Sequence, residues 1–273
     1  MSTAVYVVYS TRTLDLDWIP DDARVVIVHN DASFDRASPE RDVVHVDAPG
    51  NVGFGAGVNL ALPHASGERV VLCNPDLSLG PAHWPALTSD VSEDSVVTVP
   101  LRDSTGAPTS VCSRYPTPLT HLVSGYRLGR FVPRGSRARA TASRLLGSWG
   151  RAHDESLTDP SGQWPLSERW ISGAVCSIDI ERVRRVGGFD ERYFLYMEDV
   201  DLCRRLDAAF PGMRAVVANT DAGVHAVGGT GDGDARRVER VRLDSAVRWA
   251  EQQSGTAWTA CARLLRARRR FLR

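Results

Sequence analysis

The sequence predicts an α/β fold built on a mostly parallel sheet flanked by helices. Two patterns carry that expectation. Five short β-branched runs are almost continuously apolar: "AVYVVYS" at 4–10, "RVVIVHN" at 24–30, "DVVHVDA" at 42–48, "RVVLCNP" at 69–75 and "DSVVTVP" at 94–100. Strands buried on both faces read this way. The segment between the third and fourth, "GFGAGVNLALPHASG", fits a glycine-rich turn that opens a helix, so the strands alternate with crossovers.

The rest of the chain follows in order. Residues 101–169 are rich in Pro, Gly, Ser and Arg and read as a loop with one or two helices. "RWISGAVCSIDI" at 169–180 returns to a strand pattern, and "ERVRRVGGF" reads as a short helix ending at Gly187 and Gly188. "LYMEDVDLCRRLDAAF" at 195–210 reads as helical, and "MRAVVANTDAGVHAVGG" holds one more strand. Residues 235–253 are amphipathic at helical spacing, Gly255 breaks them, and a basic helical tail follows.

Composition bounds the function. The chain has 273 residues, 42% hydrophobic and 24% charged, which suits a folded protein with a sizeable core. No apolar run approaches the roughly 18 residues of a membrane span, and the N-terminus carries no signal-like basic region. Five scattered cysteines form no CxxC pair, which speaks against disulfides and structural zinc. A cytoplasmic setting fits these features. The net charge is zero, all 33 basic residues are arginine, and nothing points to nucleic acid. Arginine is nonetheless concentrated: residues 104–153 hold eight and no acid, and the last eleven residues hold six. Such patches attract anionic membrane or phosphate, or are plain solvated faces.

The chemistry begins at "VVLCNPDLSLG". Ligands of open α/β sheets bind beyond the carboxyl ends of strands, and there Asp76 offers a carboxylate suited to a hard divalent cation. Taken alone, Asn74-Pro75-Asp76 reads equally as a turn. "GFGAG" also invites comparison with a dinucleotide fingerprint, but the third glycine would fall on Val58, and no acid ends the next strand. A second group of acids, Glu198 and Asp199, opens a predicted helix, where the macrodipole favours negative charge. One of the pair can serve as a base; both can also merely cap the helix and pair with Arg204 and Arg205. Asp201 lies at the spacing for the ion pair.

The run "PGNVGFGAGVNLALPHASGERVVLCNPD" at 49–76 resembles the donor-site segment of family 2 glycosyltransferases, matching at Asn51, Gly53, Phe54, Gly57, Asn59, Ala65, Gly67, Asn74, Pro75 and Asp76. "WISGAVCSIDIERVRRVGGFDERYFLYMEDVDLCRRL" at 170–206 is similar to the same family's acceptor-side segment, in the variant of its rhamnosyltransferase-like branch. The resemblance implies a GT-A-like (nucleotide-diphospho-sugar transferase) fold and an inverting sugar transfer. A dTDP-rhamnose or other deoxysugar donor would give its sugar to a hydroxyl of a glycan, lipid-linked or small-molecule acceptor.

It implies Mg2+ or Mn2+ held by Asp76, with His225 as a further ligand, Asp199 as base and Glu198 as its support or acceptor ligand. Donor contacts would come from Asn30, Asp31, Asn51, Gly53, Phe54, Gly57, Asn59, Asn74 and Asp76. Apart from the resemblance, the glycine-rich "GGTGDGDARR" reads either as a lid over the diphosphate, with Arg236 or Arg237 reaching phosphate oxygens, or as a flexible linker. Acceptor contacts would come from Gly173, Ala174, Asp190 and Glu198. Residues 1–225 would form the catalytic domain, 1–100 its donor half and 101–225 its acceptor half. Residues 226–273 would form a lid loop and a basic helical segment capable of peripheral membrane contact. His29 departs from the family pattern, which expects aspartate there. A sugar-nucleotide nucleotidyltransferase or a non-catalytic nucleotide-binding protein are the alternatives; the first lacks its basic N-terminal loop, the second is opposed by intact acids at 76 and 199.

Overall fold

The structure, a computed structural model, describes residues 1–36, 43–127, 161–226 and 235–271. Strands β1 (Ser2–Val8), β2 (Arg24–His29), β3 (Val43–Asp47) and β4 (Arg69–Cys73) are the predicted apolar runs. Helix α1 (Phe54–Ala61) follows the glycine-rich turn. Next come β5 (Leu77–Ser78), α2 (His83–Thr88), β6 (Ser95–Thr98), β7 (Leu101–Arg102), β8 (Pro108–Thr109), β9 (Cys112–Arg114) and α3 (Pro118–Gly125). The second half supplies β10 (Gly162–Pro165), β11 (Arg169–Ile171), β12 (Val175–Asp179), α4 (Ile180–Arg185), α5 (Glu198–Ala209), β13 (Arg214–Val217) and β14 (Gly223–His225). Helices α6 (Ala235–Gln252) and α7 (Thr256–Arg270) follow.

Eight strands form the main sheet in the order β10-β13-β6-β12-β4-β1-β2-β3. The β4-β1-β2-β3 side is parallel throughout, while β12 enters antiparallel between β6 and β4. The sheet therefore joins strands from both halves of the sequence. A smaller sheet, β5-β14-β7-β8, sits where β4 and β6 end, and β9 pairs with β11. The fold matches the α/β expectation, with two differences of detail. Residues 169–180 are two strands of different sheets rather than one. Between them, Gly173 sits close to the site: a Cβ there would crowd the Phe54 ring at 3.2 Å and touch Asp199 at 3.6 Å. Likewise, residues 214–225 carry two strands rather than one.

At the centre of the sheet a buried charge replaces an apolar side chain. Arg69 is 3% exposed. It donates to Ser177 Oγ at 2.7 Å, to the carbonyls of Ser95 and Ser177 at 2.8 and 2.9 Å, and to that of Ser92 at 3.1 Å. Burial pulls its guanidinium down to about 10. One side chain thus ties β4 and β12 to the loop that enters β6.

The C-terminal segment is a helical hairpin packed on α3. Leu243, Ala246 and Ala250 of α6 meet Cys261, Ala262 and Leu265 of α7 in a small core of their own. Gly125 permits the close approach of α7, since a Cβ there would lie 2.3 Å from Leu265. The basic tail is more engaged than its charge count suggests. Arg266 pairs with Glu251, Arg268 with Glu239 and Arg269 with Asp244. Leu265 is buried, whereas Leu264 and Phe271 are exposed. Most of the acid-free arginine stretch and the proposed lid at 227–234 lie outside the described residues. No described helix is long and apolar enough to cross a membrane.

Arg69→Met removes four donated hydrogen bonds and leaves buried carbonyls unpaired. It is expected to cost about 2–4 kcal/mol, read by urea unfolding. A loss within 0.5 kcal/mol of zero would show that the arginine network does not hold the sheet.

Candidate active site

Two adjoining cavities lie beyond the carboxyl ends of β1, β2 and β4. The outer one, about 520 Å³, is lined by Tyr9, Ser10 and Thr11 after β1, by Asn30 after β2, and by Asn51, Gly53 and Phe54 at the start of α1. Asn74, Pro75, Asp76 and His225 close its inner end, and Arg237, Val238 and Val241 of α6 cover it. The inner cavity, about 380 Å³, is lined by Gly173 and Ala174, by residues 195–200, and by Trp170, His121, Ser124, Gly125, Arg242 and Ala246. Phe54, Asn74, Leu195, Tyr196 and His225 border both.

At the junction, Asp76 and His225 come together. The β5–β14 pairing sets His225 opposite Leu77, and the Ala226 amide donates to the Asp76 carbonyl at 3.0 Å. Asp76 Oδ1 is 3.1 Å from His225 Nε2, and Asn74 Nδ2 is 3.4 Å from the same nitrogen. Adjacent ligands on an octahedral cation with bonds of about 2.1 Å stand about 3.0 Å apart. A carboxylate oxygen and an imidazole nitrogen at this spacing fit one divalent cation as two of its ligands. Among the described residues no third His, Cys, Asp or Glu joins them. Further ligands would be oxygens of a bound diphosphate or water.

The second acidic group lies on the inner wall. Helix α5 begins only at Glu198, later than the sequence pattern implied, because Tyr196 and Met197 take left-handed φ values of 69° and 70°. Two such residues in a row cost of order 1–3 kcal/mol each. The turn is held from outside: the amide of Phe54 donates to Phe194 O at 3.1 Å, Ser245 Oγ to Leu195 O at 2.8 Å, and the Asp201 amide to Met197 O at 2.9 Å. It points both acids of the helix start into the cavity.

Their environments differ. Asp199 accepts from the Gly173 amide at 3.1 Å and from the Val200 amide at 2.8 Å. Glu198 is 5% exposed, and its Oε2 has no partner. Burial pushes the Glu198 carboxyl well above the usual range, and the adjacent Asp199 charge pushes it further. Burial also raises Asp199, but backbone amides of Gly173, Val200 and its own residue hold it down. Burial therefore disfavours charge on both acids, and more strongly on Glu198, which lacks the two amide donors that Asp199 accepts from. Asp201 is the ion-paired acid, 2.7 Å from Arg205; Arg204 instead lies over the rings of Tyr115 and Trp249.

Other predicted residues are placed differently. Asn59 lines neither cavity; its amide accepts from the Phe189 amide at 2.8 Å and donates to Phe189 O at 2.9 Å, clamping α1 to the Gly-Gly-Phe-Asp loop. Gly57 packs α1 against β1, where a Cβ would meet Val7 at 2.6 Å. Asp190 is held by Arg192 Nη2 at 2.7 Å and lines neither cavity. Asp31 accepts from Ser10 and Ser33 and lines neither, so it positions the loop after β2. Asn30 lines the outer cavity, but its Nδ2 also donates to Gly53 O at 3.2 Å. Of the two candidate arginines, Arg237 lines the outer cavity and Arg236 does not. His29 turns to β3, with Nε2 2.8 Å from His45 Nδ1. Sequence reasoning missed His121, Ser124, Arg242 and the cavity-facing side of α6. The only available signal was the amphipathic pattern of 235–253, which does not say what its apolar face covers.

No family model matches the chain. It is 31% identical over 176 residues, 58% of this chain, to the N-acetylglucosaminyl-diphospho-decaprenol L-rhamnosyltransferase of Mycobacterium tuberculosis (strain CDC 1551 / Oshkosh), and the match covers 51% of that protein. It is 45% identical over 40 residues, 15% of each chain, to the rhamnosyltransferase WbbL of Escherichia coli (strain K12). The match with the mycobacterial relative thus spans about half of that protein's length. Among solved structures, GalNAc-T7 with UDP, GalNAc and Mn2+ superimposes with a TM-score of 0.51, at 10% identity, over 98% of this chain and 55% of that one. The fold is that of the GT-A glycosyltransferases. In sequence the chain is similar to these two rhamnosyltransferases over the matched residues.

Glu198 gives a stability prediction. Its folded pKa is raised, so the native state keeps a proton that the unfolded chain releases above about pH 4.3. Native stability is therefore reduced as pH rises past that point. Glu198→Gln should be more stable than wild type at pH 7 and equal to it at pH 4, by urea unfolding at both pH values. A difference that does not grow with pH contradicts the buried, protonated state.

Proposed function

We propose that the chain transfers a sugar from a nucleotide-diphosphate donor to an acceptor hydroxyl with inversion at the anomeric carbon. The observation that carries this is that the Asp76–His225 pair lines the outer cavity and Asp199 the adjoining inner one, with His225, Phe54 and Asn74 bordering both. The donor nucleotide occupies the outer cavity, with Asn30, Asn51 and Gly53 along its wall, and the acceptor enters the inner one. A divalent cation, Mg2+ or Mn2+, held by Asp76 and His225, would neutralise charge on the leaving diphosphate.

The Asp199 carboxylate takes the proton of the acceptor hydroxyl as its oxygen bonds to the anomeric carbon. The bond from that carbon to the phosphate oxygen breaks, and its electron pair leaves with the nucleoside diphosphate. Burial of Glu198 disfavours a competing charge beside the base. The amide of Gly173 fixes the orientation of Asp199. A rhamnose or other deoxysugar donor is favoured by the two rhamnosyltransferase relatives, and a lipid-linked acceptor by the diphospho-decaprenol in the name of one. The division of roles follows: residues 1–100 hold the donor, 101–225 the acceptor and base, and α6 completes both walls. Work on a lipid-linked acceptor would place the chain at the cytoplasmic face of a membrane, with Leu264 and Phe271 as exposed apolar contacts.

Two substitutions separate binding from chemistry. Asp76→Ala should abolish the metal-dependent part of nucleoside diphosphate affinity, read by calorimetry with and without Mn2+; unchanged metal dependence would refute the ligand assignment. Asp199→Asn should bind donor normally and lose about 10²–10⁴ in turnover, with donor hydrolysis and transfer as readouts. Near wild-type turnover would move the base elsewhere. Wild-type kcat should also fall with an apparent pKa above the ordinary aspartate value as pH is lowered, because burial raises Asp199.

A further inference from the structure

A further cavity, about 440 Å³, lies between α5 and the helical hairpin. Helix α5 supplies Asp201, Arg204 and Arg205, α6 supplies Trp249, and the turn and α7 supply Ser254 and Trp258. It shares no lining residue with the two cavities of the candidate active site. The transfer chemistry uses none of these side chains.

The charge balance of the wall favours an anion. Asp201 is already taken by Arg205, whose Nε donates to it at 2.7 Å. Arg205 Nη1 donates to the carbonyls of Val186 and Gly188. That pair cancels, and the charge of Arg204 remains. Arg204 is exposed and makes no hydrogen bond or ion pair among the described residues. Its guanidinium lies over the rings of Tyr115 and Trp249, 5.8 and 5.9 Å from their centres, which holds it in place. Asp207, one turn along α5, lies within its field without pairing with it.

The unmatched polar atoms are donors as well. Arg205 Nη2 and the indole Nε1 of Trp249 are buried without a partner, and Trp249 is 1% exposed. Buried donors are almost always paired, so two orphans in one wall mark a place for an acceptor that the chain does not supply. Ser254 adds an exposed hydroxyl from the turn. The donors thus come from α5, α6 and the turn between α6 and α7. A phosphate group offers acceptor oxygens in several directions and suits such a wall better than the two coplanar oxygens of a carboxylate.

We infer that this cavity binds the phosphate group of a small phosphorylated ligand, with Arg204 as its principal contact. One aromatic cluster separates it from the inner cavity. Tyr193, Val200 and Trp249 pack together, with Trp170, Met197 and Trp258 against them. Trp170, Met197 and Val200 line the inner cavity, while Trp249 and Trp258 line this one.

Inorganic phosphate and glycerol 3-phosphate are the probes, with acetate as the planar control. Each is titrated by calorimetry into the full chain with EDTA present, so that no divalent cation draws phosphate to Asp76 and His225. Both phosphates should bind saturably and more tightly than acetate. Arg204→Gln should weaken both roughly tenfold, the loss of one charge-assisted contact, and Arg204→Lys should recover part of that loss. Ser254→Ala, in the exposed turn, should weaken both to a smaller extent, and Asp76→Ala should bind them as the wild type does. Circular dichroism of each variant checks the fold. No saturable binding, equal binding of acetate, or an affinity unchanged in Arg204→Gln would overturn the site. Loss of binding in Asp76→Ala would put the phosphate in the outer cavity and overturn it too.

Discussion

The pairing of β12 with β4 is the constraint on which the site depends. β4 ends at Cys73, and the next amide, that of Asn74, donates to Ala174 O at 2.8 Å. Two residues further along, the chain presents Asp76. One residue before Ala174, the Gly173 amide donates to Asp199 Oδ2. A short path of hydrogen bonds therefore runs from the Asn74-Pro75-Asp76 turn to the carboxylate of α5. Register in a sheet is specified wherever a slip would turn buried side chains to the other face. Here Val175 to Ile178 are all buried against β4, so the spacing between the two acidic groups is set by the sheet rather than by flexible loops.

The remaining contacts make that spacing rigid. Arg69 bridges β4 and β12 from the far end of the same strands. On the cavity side, Asn59 fastens α1 to Phe189, and Gly53 lets the start of α1 approach Phe194, where a Cβ would fall 2.1 Å from its carbonyl oxygen. The residues that the family resemblance suggests as donor contacts thus fall into two kinds. Asn51, Gly53, Phe54, Asn74 and Asp76 line the outer cavity, whereas Gly57 and Asn59 hold the element that carries it. Motif membership alone does not separate the two, because a residue held in place by packing and one facing a ligand leave the same letter in the sequence.

Much of the fold was legible. All five apolar runs are strands; four of them bury both faces, whereas β3 at the edge of the sheet is only half-buried, and the glycine-rich turn does open a helix. What was not legible is long-range. The break at residues 172–174, where Gly173 packs beside Phe54 and its amide donates to Asp199, involves partners far away in sequence and is invisible in an apolar run. The late start of α5 comes from left-handed Tyr196 and Met197, residue types that give no local warning of such a conformation. The covering of both cavities by α6, and the gathering of three arginines on Glu239, depend on how the hairpin docks on α3. The arginines of the tail looked like a free cationic surface; their acidic partners lie 15 to 29 residues earlier in sequence along α6. Arg266 with Glu251 is the nearer of these, at 15 residues.

The central claim is that one sheet junction brings the Asp76–His225 pair, proposed to hold the diphosphate's cation, and the proposed base Asp199 to the same place. Crystals grown with a nucleoside diphosphate and Mn2+, measured at a wavelength where manganese scatters anomalously, test it most directly. The account predicts an anomalous peak within bonding range of Asp76 and His225, with the diphosphate in the outer cavity and its terminal phosphate directed toward Asp199. A peak remote from both residues, or a diphosphate bound with its terminal phosphate turned away from the inner cavity, would contradict it.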